Sequence, residues 1–211
     1  FIRETIAGGK LGKLLCIKAR GNCFRRRNDW QTLKKFGGGI LANWGTHYVD
    51  ATLQIIDGKP LSVWGHLRHT GVAAGDAEDH IKIIFRDHTG CVVDIESSYA
   101  CAIPSPDWTI WGSCGTLEIK GKDYRLKYFD PRQVKPLPAD PGAAANRRYD
   151  NDDKLPWQEE TGIATPKQTF DFYGNLYDAI RHKAPLLVTG ESVLAQIKVL
   201  DAVRASSALK N

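Results

Sequence analysis

Methionine is missing from all 211 residues, so Phe1 does not read as a translation start, and an N-terminal part is expected to precede it. There is no apolar run of about 18 residues, the length needed to span a bilayer, and no charged-then-apolar opening with a small-residue cleavage site. Neither a membrane partner nor a secretory signal is expected. Cys-x-x-Cys pairs are lacking too. The five cysteines, Cys16, Cys23, Cys91, Cys101 and Cys114, are odd in number and lie mostly in apolar, strand-like runs, which predicts free buried thiols in a reducing, cytoplasmic setting rather than disulfides or zinc. The six histidines show no metal-ligand spacing. Charge of one sign is scarce: the net charge is +5, with Arg25-Arg26-Arg27 as the one cluster. The strands lack a group of stacking aromatics, so no nucleic-acid partner is expected.

What is present suits a globular domain, with 42% hydrophobic and 25% charged residues. A short helix over residues 1–6, closed by Gly8-Gly9, leads to a strand over residues 11–20. Apolar spacing over residues 40–56 predicts a helix with Leu41, Trp44, Tyr48, Leu53 and Ile56 on its inner side. Residues 61–69, 80–85, 91–99, 108–111, 116–119 and 124–129 read as short strands separated by turn signals, among them Asp87-His88-Thr89-Gly90 and Gly121-Lys122-Asp123. With the first strand this makes about seven, mainly antiparallel because the connections are too short for crossover helices. Residues 131–166 hold most of the prolines and read as one long loop. Two helices follow, over residues 167–182, with Phe170, Tyr173, Leu176, Tyr177 and Ile180 as a stripe, and over 192–209, with Val193, Ile197, Leu200 and Val203; Thr189 or Ser192 is placed to cap the second. One α+β domain fits better than two.

The densest polar group lies at the start of the central helix, in Gly37-Gly38-Gly39-Ile40-Leu41-Ala42-Asn43-Trp44-Gly45-Thr46-His47-Tyr48-Val49-Asp50. Asn43, His47 and Asp50 are spaced to share one helical face. A histidine there can take a hydroxyl proton as an alcohol is oxidised, or return it, and Asn43 can orient the same hydroxyl by hydrogen bonding. The same spacing also suits a histidine satisfied in the core, with Asn43 and Asp50 capping or pairing. Gly37-x-Gly39-x-x-Ala42 formally matches a dinucleotide fingerprint, but residues 28–36 before it are polar and without strand alternation, so the glycines read as a tight turn that lets backbone approach a ligand. Just upstream, Arg25, Arg27, Asn28, Asp29 and Trp30 combine hydrogen-bonding groups with a flat apolar face, as sugar sites do; an exposed loop held by salt bridges is the other reading of that stretch.

Residues 37–50 resemble the Gly-Gly-Gly-x-Leu-x-(Asp or Asn)-x-Gly-x-His-x-x-Asp signature of the glucose-fructose oxidoreductase and inositol dehydrogenase family, Gfo/Idh/MocA, with Ile40-Leu41 as the apolar pair. Residues 6–13, 112–118 and 186–192 are similar to further segments of its C-terminal domain, so the resemblance runs nearly the length of the chain. It implies an α+β fold: a large, mainly antiparallel, open-faced β-sheet with helices packed on one face, the other face often covered by another subunit. It implies that residues 1–211 form a substrate-binding and oligomerisation domain, preceded in the full protein by a Rossmann domain that holds NAD or NADP and a catalytic lysine. His47 becomes the acid/base, and Asn43 stands where many members have aspartate; an amide cannot take a proton, so Asn43 can only orient. The candidate substrate-binding set is Arg27, Asn28, Trp30, Gly39, Asn43 and His47. No metal is expected.

The leading expectation is the C-terminal half of an NAD(P)-dependent oxidoreductase that moves hydride to or from a carbinol carbon of a sugar, inositol or similar polyol, inactive without its cofactor domain. The alternative is a non-catalytic carbohydrate-binding or oligomerisation module of the same fold. A homo-oligomer, dimer or tetramer, is expected because an open sheet would otherwise leave an apolar face in water.

Overall fold

A computed structural model describes residues 1–56, 60–139, 153–165 and 171–207. Alternation of apolar and polar residues builds the sheet. In β1 (Leu14–Asn22) Ile17 and Ala19 are buried while Lys18 and Arg20 point the other way, and β3 (His80–Arg86) repeats this with Ile81, Ile83 and Phe85. The remaining strands are β2 (Ser62–Arg68), β4 (Val92–Ser98), β5 (Trp108–Gly112), β6 (Gly115–Lys120), β7 (Asp123–Tyr128) and β8 (Gln158–Ile163).

The strand order is β2-β3-β4-β1-β5-β6-β7-β8. Every pairing is antiparallel except β1 with β4, where Cys16 lies opposite Val92 and Asn22 opposite Ser98. The expected mainly antiparallel sheet is present, with eight strands among the described residues where about seven were expected. The added one, β8, falls within residues 131–166, read from sequence as loop. Its sequence, Gln-Glu-Glu-Thr-Gly-Ile, carries no apolar alternation because it is an edge strand whose Glu159 pairs with Arg125 and Lys127 of β7. The rest of that segment includes a single helical turn, Pro131–Gln133, and residues 140–152 lie outside the described residues.

The helices are α1 (Ile2–Ala7), α2 (Thr46–Ile55), α3 (Phe172–His182) and α4 (Gly190–Ser206). Helix α4 packs on β2 and on α2, and α2 also meets β1 and β4, so both lie over the same sheet face. Gly65 of β2 makes the close approach possible: a Cβ there would come within 2.5 Å of Val203 Cγ1. Thr189 caps α4 in a reciprocal box with Ser192, as the sequence suggested. The buried residues of α4 are Val199, Leu200 and Val203; Val193 and Ile197, expected with them, are exposed. Residues 167–170, expected to open α3, lie outside the described residues, Phe170 of the stripe among them; the rest of the stripe faces solvent, Tyr173 being 80% and Ile180 70% exposed.

The face opposite the helices mixes apolar and charged groups: Trp64, Val92 and Trp111 are exposed on it beside an ion-pair cluster. Arg20 and Lys82 share Asp94, Lys82 also reaches Glu96, and Asn22 donates to the same Glu96. Lys18 lies 3.7 Å from the centre of the Trp111 ring. All five cysteines are free.

Candidate functional site

The site is organised by the chain entering α2. Before the glycines, residues 30–32 and 34–36 form two single turns of tight helix, and no strand runs directly into Gly37, so the glycines are not a dinucleotide loop. Gly39 has φ +119, a conformation open to glycine, and a Cβ there would collide with the Glu78 carboxylate. Glu78 holds the turn twice: its carbonyl accepts from Ile40 N at 2.9 Å and its carboxylate from Leu41 N at 3.2 Å. Burial pushes the Glu78 carboxyl up from its ordinary range.

Residues Leu41–Gly45 form a wide, π-type turn before α2 begins at Thr46. Such turns are associated with functional positions. This one resets the helical face. The buried stripe is Leu41, Gly45, Val49, Thr52 and Ile56, whereas Trp44, expected inside, is 44% exposed and Tyr48 is half-buried. Asn43, His47 and Asp50 all lie off that stripe.

The structure separates these three. Asn43 lines a narrow recess with Arg27, Gln31, Gly39, Glu78 and Tyr99. His47 is exposed one turn later, edge-on to Trp44 with ring centres 5.9 Å apart. Asp50 accepts from Gln54 and borders a different, larger and more open depression with Tyr48 and Trp108. Asn28 and Trp30 are exposed beside Arg27 in sequence.

Arg27 is heavily engaged. It donates to Asp29 Oδ2 from Nε at 2.9 Å and Nη2 at 2.7 Å, to Tyr99 Oη at 3.1 Å and to Gln31 Oε1 at 2.5 Å. The hydrogen bonds from Arg27 hold the Asp29 carboxyl below its usual range. Asn43 Nδ2 donates to the same Gln31 oxygen at 2.9 Å. The recess is closed by the 70–79 loop, pinned by the buried Asp79, which accepts from Thr70 N, Thr70 Oγ1 and Ala73 N.

Sequence reasoning missed Gln31, Glu78 and Tyr99. The first sits in a polar stretch read as connector, and the other two arrive from β-strand ends with no local signal. Among the described residues, no group of three or more His, Cys, Asp or Glu could hold a metal, and no helix is long and apolar enough to cross a membrane. The glycine turn at residues 37–39, preceded by single helical turns and not by a strand, is not a dinucleotide cradle.

A comparison with curated proteins finds no match. Among solved structures, the chain is similar to an NAD-binding protein from Listeria innocua (TM-score 0.78, 21% identity), covering 98% of this chain and 60% of that one. An oxidoreductase from Bacillus cereus gives a TM-score of 0.72 at 16% identity, over 99% of this chain and 60% of the other. The WlbA dehydrogenase from Bordetella pertussis, solved in complex with NADH and UDP-GlcNAcA, gives 0.62 at 20% identity, over 97% of this chain and 55% of the other. The chain thus spans little more than half the length of these proteins, and the likeness is one of fold. Residues 1–118 match the GFO/IDH/MocA C-terminal domain, the family to which this chain belongs.

Proposed function

We propose that residues 1–211 are the substrate-binding and oligomerisation domain of an NAD(P)-dependent oxidoreductase acting on a carbinol of a sugar, inositol or similar polyol. The observation that carries this is the opening of the central helix: Asn43 is held in the recess by Gln31, and His47 stands free one turn on. His47 takes or returns the hydroxyl proton, Asn43 orients the substrate, and Gly39 lets ligand approach the backbone; Arg27, Asn28 and Trp30 complete the sugar-binding set. The nicotinamide, NAD or NADP, supplies a hydride acceptor or donor and is held by a separate domain, for which the longer fold relatives have room. The nucleotide-sugar complex of one fold relative supports the substrate class. The free cysteines support a reducing, cytoplasmic setting. The exposed sheet face, ordered by ion pairs, is the surface proposed for a homo-oligomer, dimer or tetramer.

The test is turnover by the full chain encoded by its gene, with NAD and NADP, against myo-inositol, D-glucose and D-xylose. His47→Ala is expected to lower kcat by about 10²-fold or more, the size of a general acid/base contribution. Near-normal turnover removes His47 from the mechanism. Binding without turnover by any nicotinamide favours the alternative, a carbohydrate-binding or oligomerisation module.

A further inference from the structure

The hydrogen bonds around Asn43 have a fixed direction. A guanidinium carries donors and no acceptor, so the Gln31 atom that meets Arg27 Nη2 is the carbonyl oxygen. The Asn43 atom 2.9 Å from that same oxygen is therefore the donor, Nδ2. An amide has one other polar atom. Asn43 Oδ1 is thus turned away from Gln31, and among the described residues it has no hydrogen-bond partner. Two bonds to Asp29 and one to Tyr99 keep Arg27 from turning out of this chain of contacts.

We propose that Arg27 and Gln31 are positioning residues that lock the Asn43 amide with its oxygen toward the substrate, making the site an acceptor for a substrate hydroxyl. This rests on the functional reading above. A hydroxyl carries one proton, so the group held by Asn43 Oδ1 is not the one that gives its proton to His47. The substrate then has at least two hydroxyls, and a simple alcohol lacks half of what the site recognises. The lock also accounts for asparagine at position 43. A carboxylate there would set an oxygen against Gln31 Oε1 at hydrogen-bond distance, and rotating Gln31 to relieve this would turn its NH2 against Arg27.

The experiment measures kcat/KM of the full chain with its fastest polyol from the panel above, alongside cyclohexanol, for wild type and three variants. Asn43→Asp and Gln31→Leu are expected to lose about tenfold or more, the loss attached to roughly one hydrogen bond of about 1.4 kcal/mol. Gln31→Glu, which keeps an acceptor facing both donors, is expected to stay within about threefold of wild type. Cyclohexanol is not expected to be turned over. Asn43→Asp at or above wild type, Gln31→Leu equal to Gln31→Glu, or cyclohexanol used as well as the polyol would each overturn the proposal. If wild type uses no polyol, the functional reading fails by itself, and the lock is decided by side-chain amide exchange. Asn43 Nδ2 protons that exchange more slowly in wild type than in Gln31→Leu support it, and equal rates overturn it.

Discussion

Glu78 occupies the space into which a side chain at position 39 would have to grow. Its carboxylate also holds Leu41 N, so one residue both requires the glycine and fixes the first turn beyond it.

Gly39→Ala is accordingly expected to be costly on two grounds, a positive φ and a collision with Glu78. A loss of about 1–3 kcal/mol in urea denaturation is expected, with a larger effect on activity than on far-UV circular dichroism. A loss below about 0.5 kcal/mol would show that Glu78 yields freely.

Glu78 has a pH signature of its own. Burial raises its pKa in the folded chain above the ordinary 4.5, so between the two values the native state binds more protons than the unfolded one. Stability from this group is full below about 4.5 and falls as pH rises through the folded value. Glu78→Gln removes that dependence, and its thermal midpoint should gain on wild type more at pH 7 than at pH 4. A gap that does not change with pH would contradict this.

Asp94 behaves in the opposite sense. Burial disfavours its ionised form, but hydrogen bonds and charge from Arg20 and Lys82 outweigh this and hold its carboxyl below the ordinary range. Its contribution is present above the unfolded carboxyl pKa and is lost as pH falls through the lower folded one. Asp94→Asn should destabilise the protein at pH 7 and flatten the acid limb of stability between pH 5 and 3, measured by thermal melts. An unchanged acid limb would mean the cluster is solvated surface.

Gly65 sets the distance between β2 and α4. Gly65→Ala places a methyl group against Val203 and is expected to cost about 1–3 kcal/mol, the range of overpacked cores, read from the denaturant midpoint. Val203→Ala in the same background should recover part of that loss. No recovery would place the strain elsewhere.

The helix proposed to carry the site was legible because its glycines, Asn43, His47 and Asp50 stand in one unbroken segment. Its inner face was legible only in part: Leu41 and Ile56 are buried as the apolar spacing suggests, but the wide turn at Leu41–Gly45 shifts the register and leaves Trp44 outside. A regular period cannot show an irregular turn. Gln31, Glu78 and Tyr99 were beyond reach for a different reason. Gln31 meets Asn43, Glu78 the glycine turn and Tyr99 Arg27, through segments whose paths depend on the assembled sheet. The edge strand β8 was hidden because its pairing rests on Glu159 and Glu160, which contact Arg125, Lys127, Tyr128 and Lys10 rather than filling the core.

The central place of β1 shapes how this chain must fold. Its neighbours on the two sides are β4, where Cys16 lies opposite Val92, and β5, where Ile17 lies opposite Ile110. The strands on either side can form from local hairpins, β2 with β3 and β4, and β5 with β6 and β7. The two halves have no shared ladder until β1 enters between them. Of these strands β1 is made first: its β4 edge has no partner until Ser98 and its β5 edge none until Gly112, so its insertion is the step that closes a long loop. The order of synthesis and the order of assembly therefore run in opposite directions, and β1 is the segment most exposed to wrong partners in the interval.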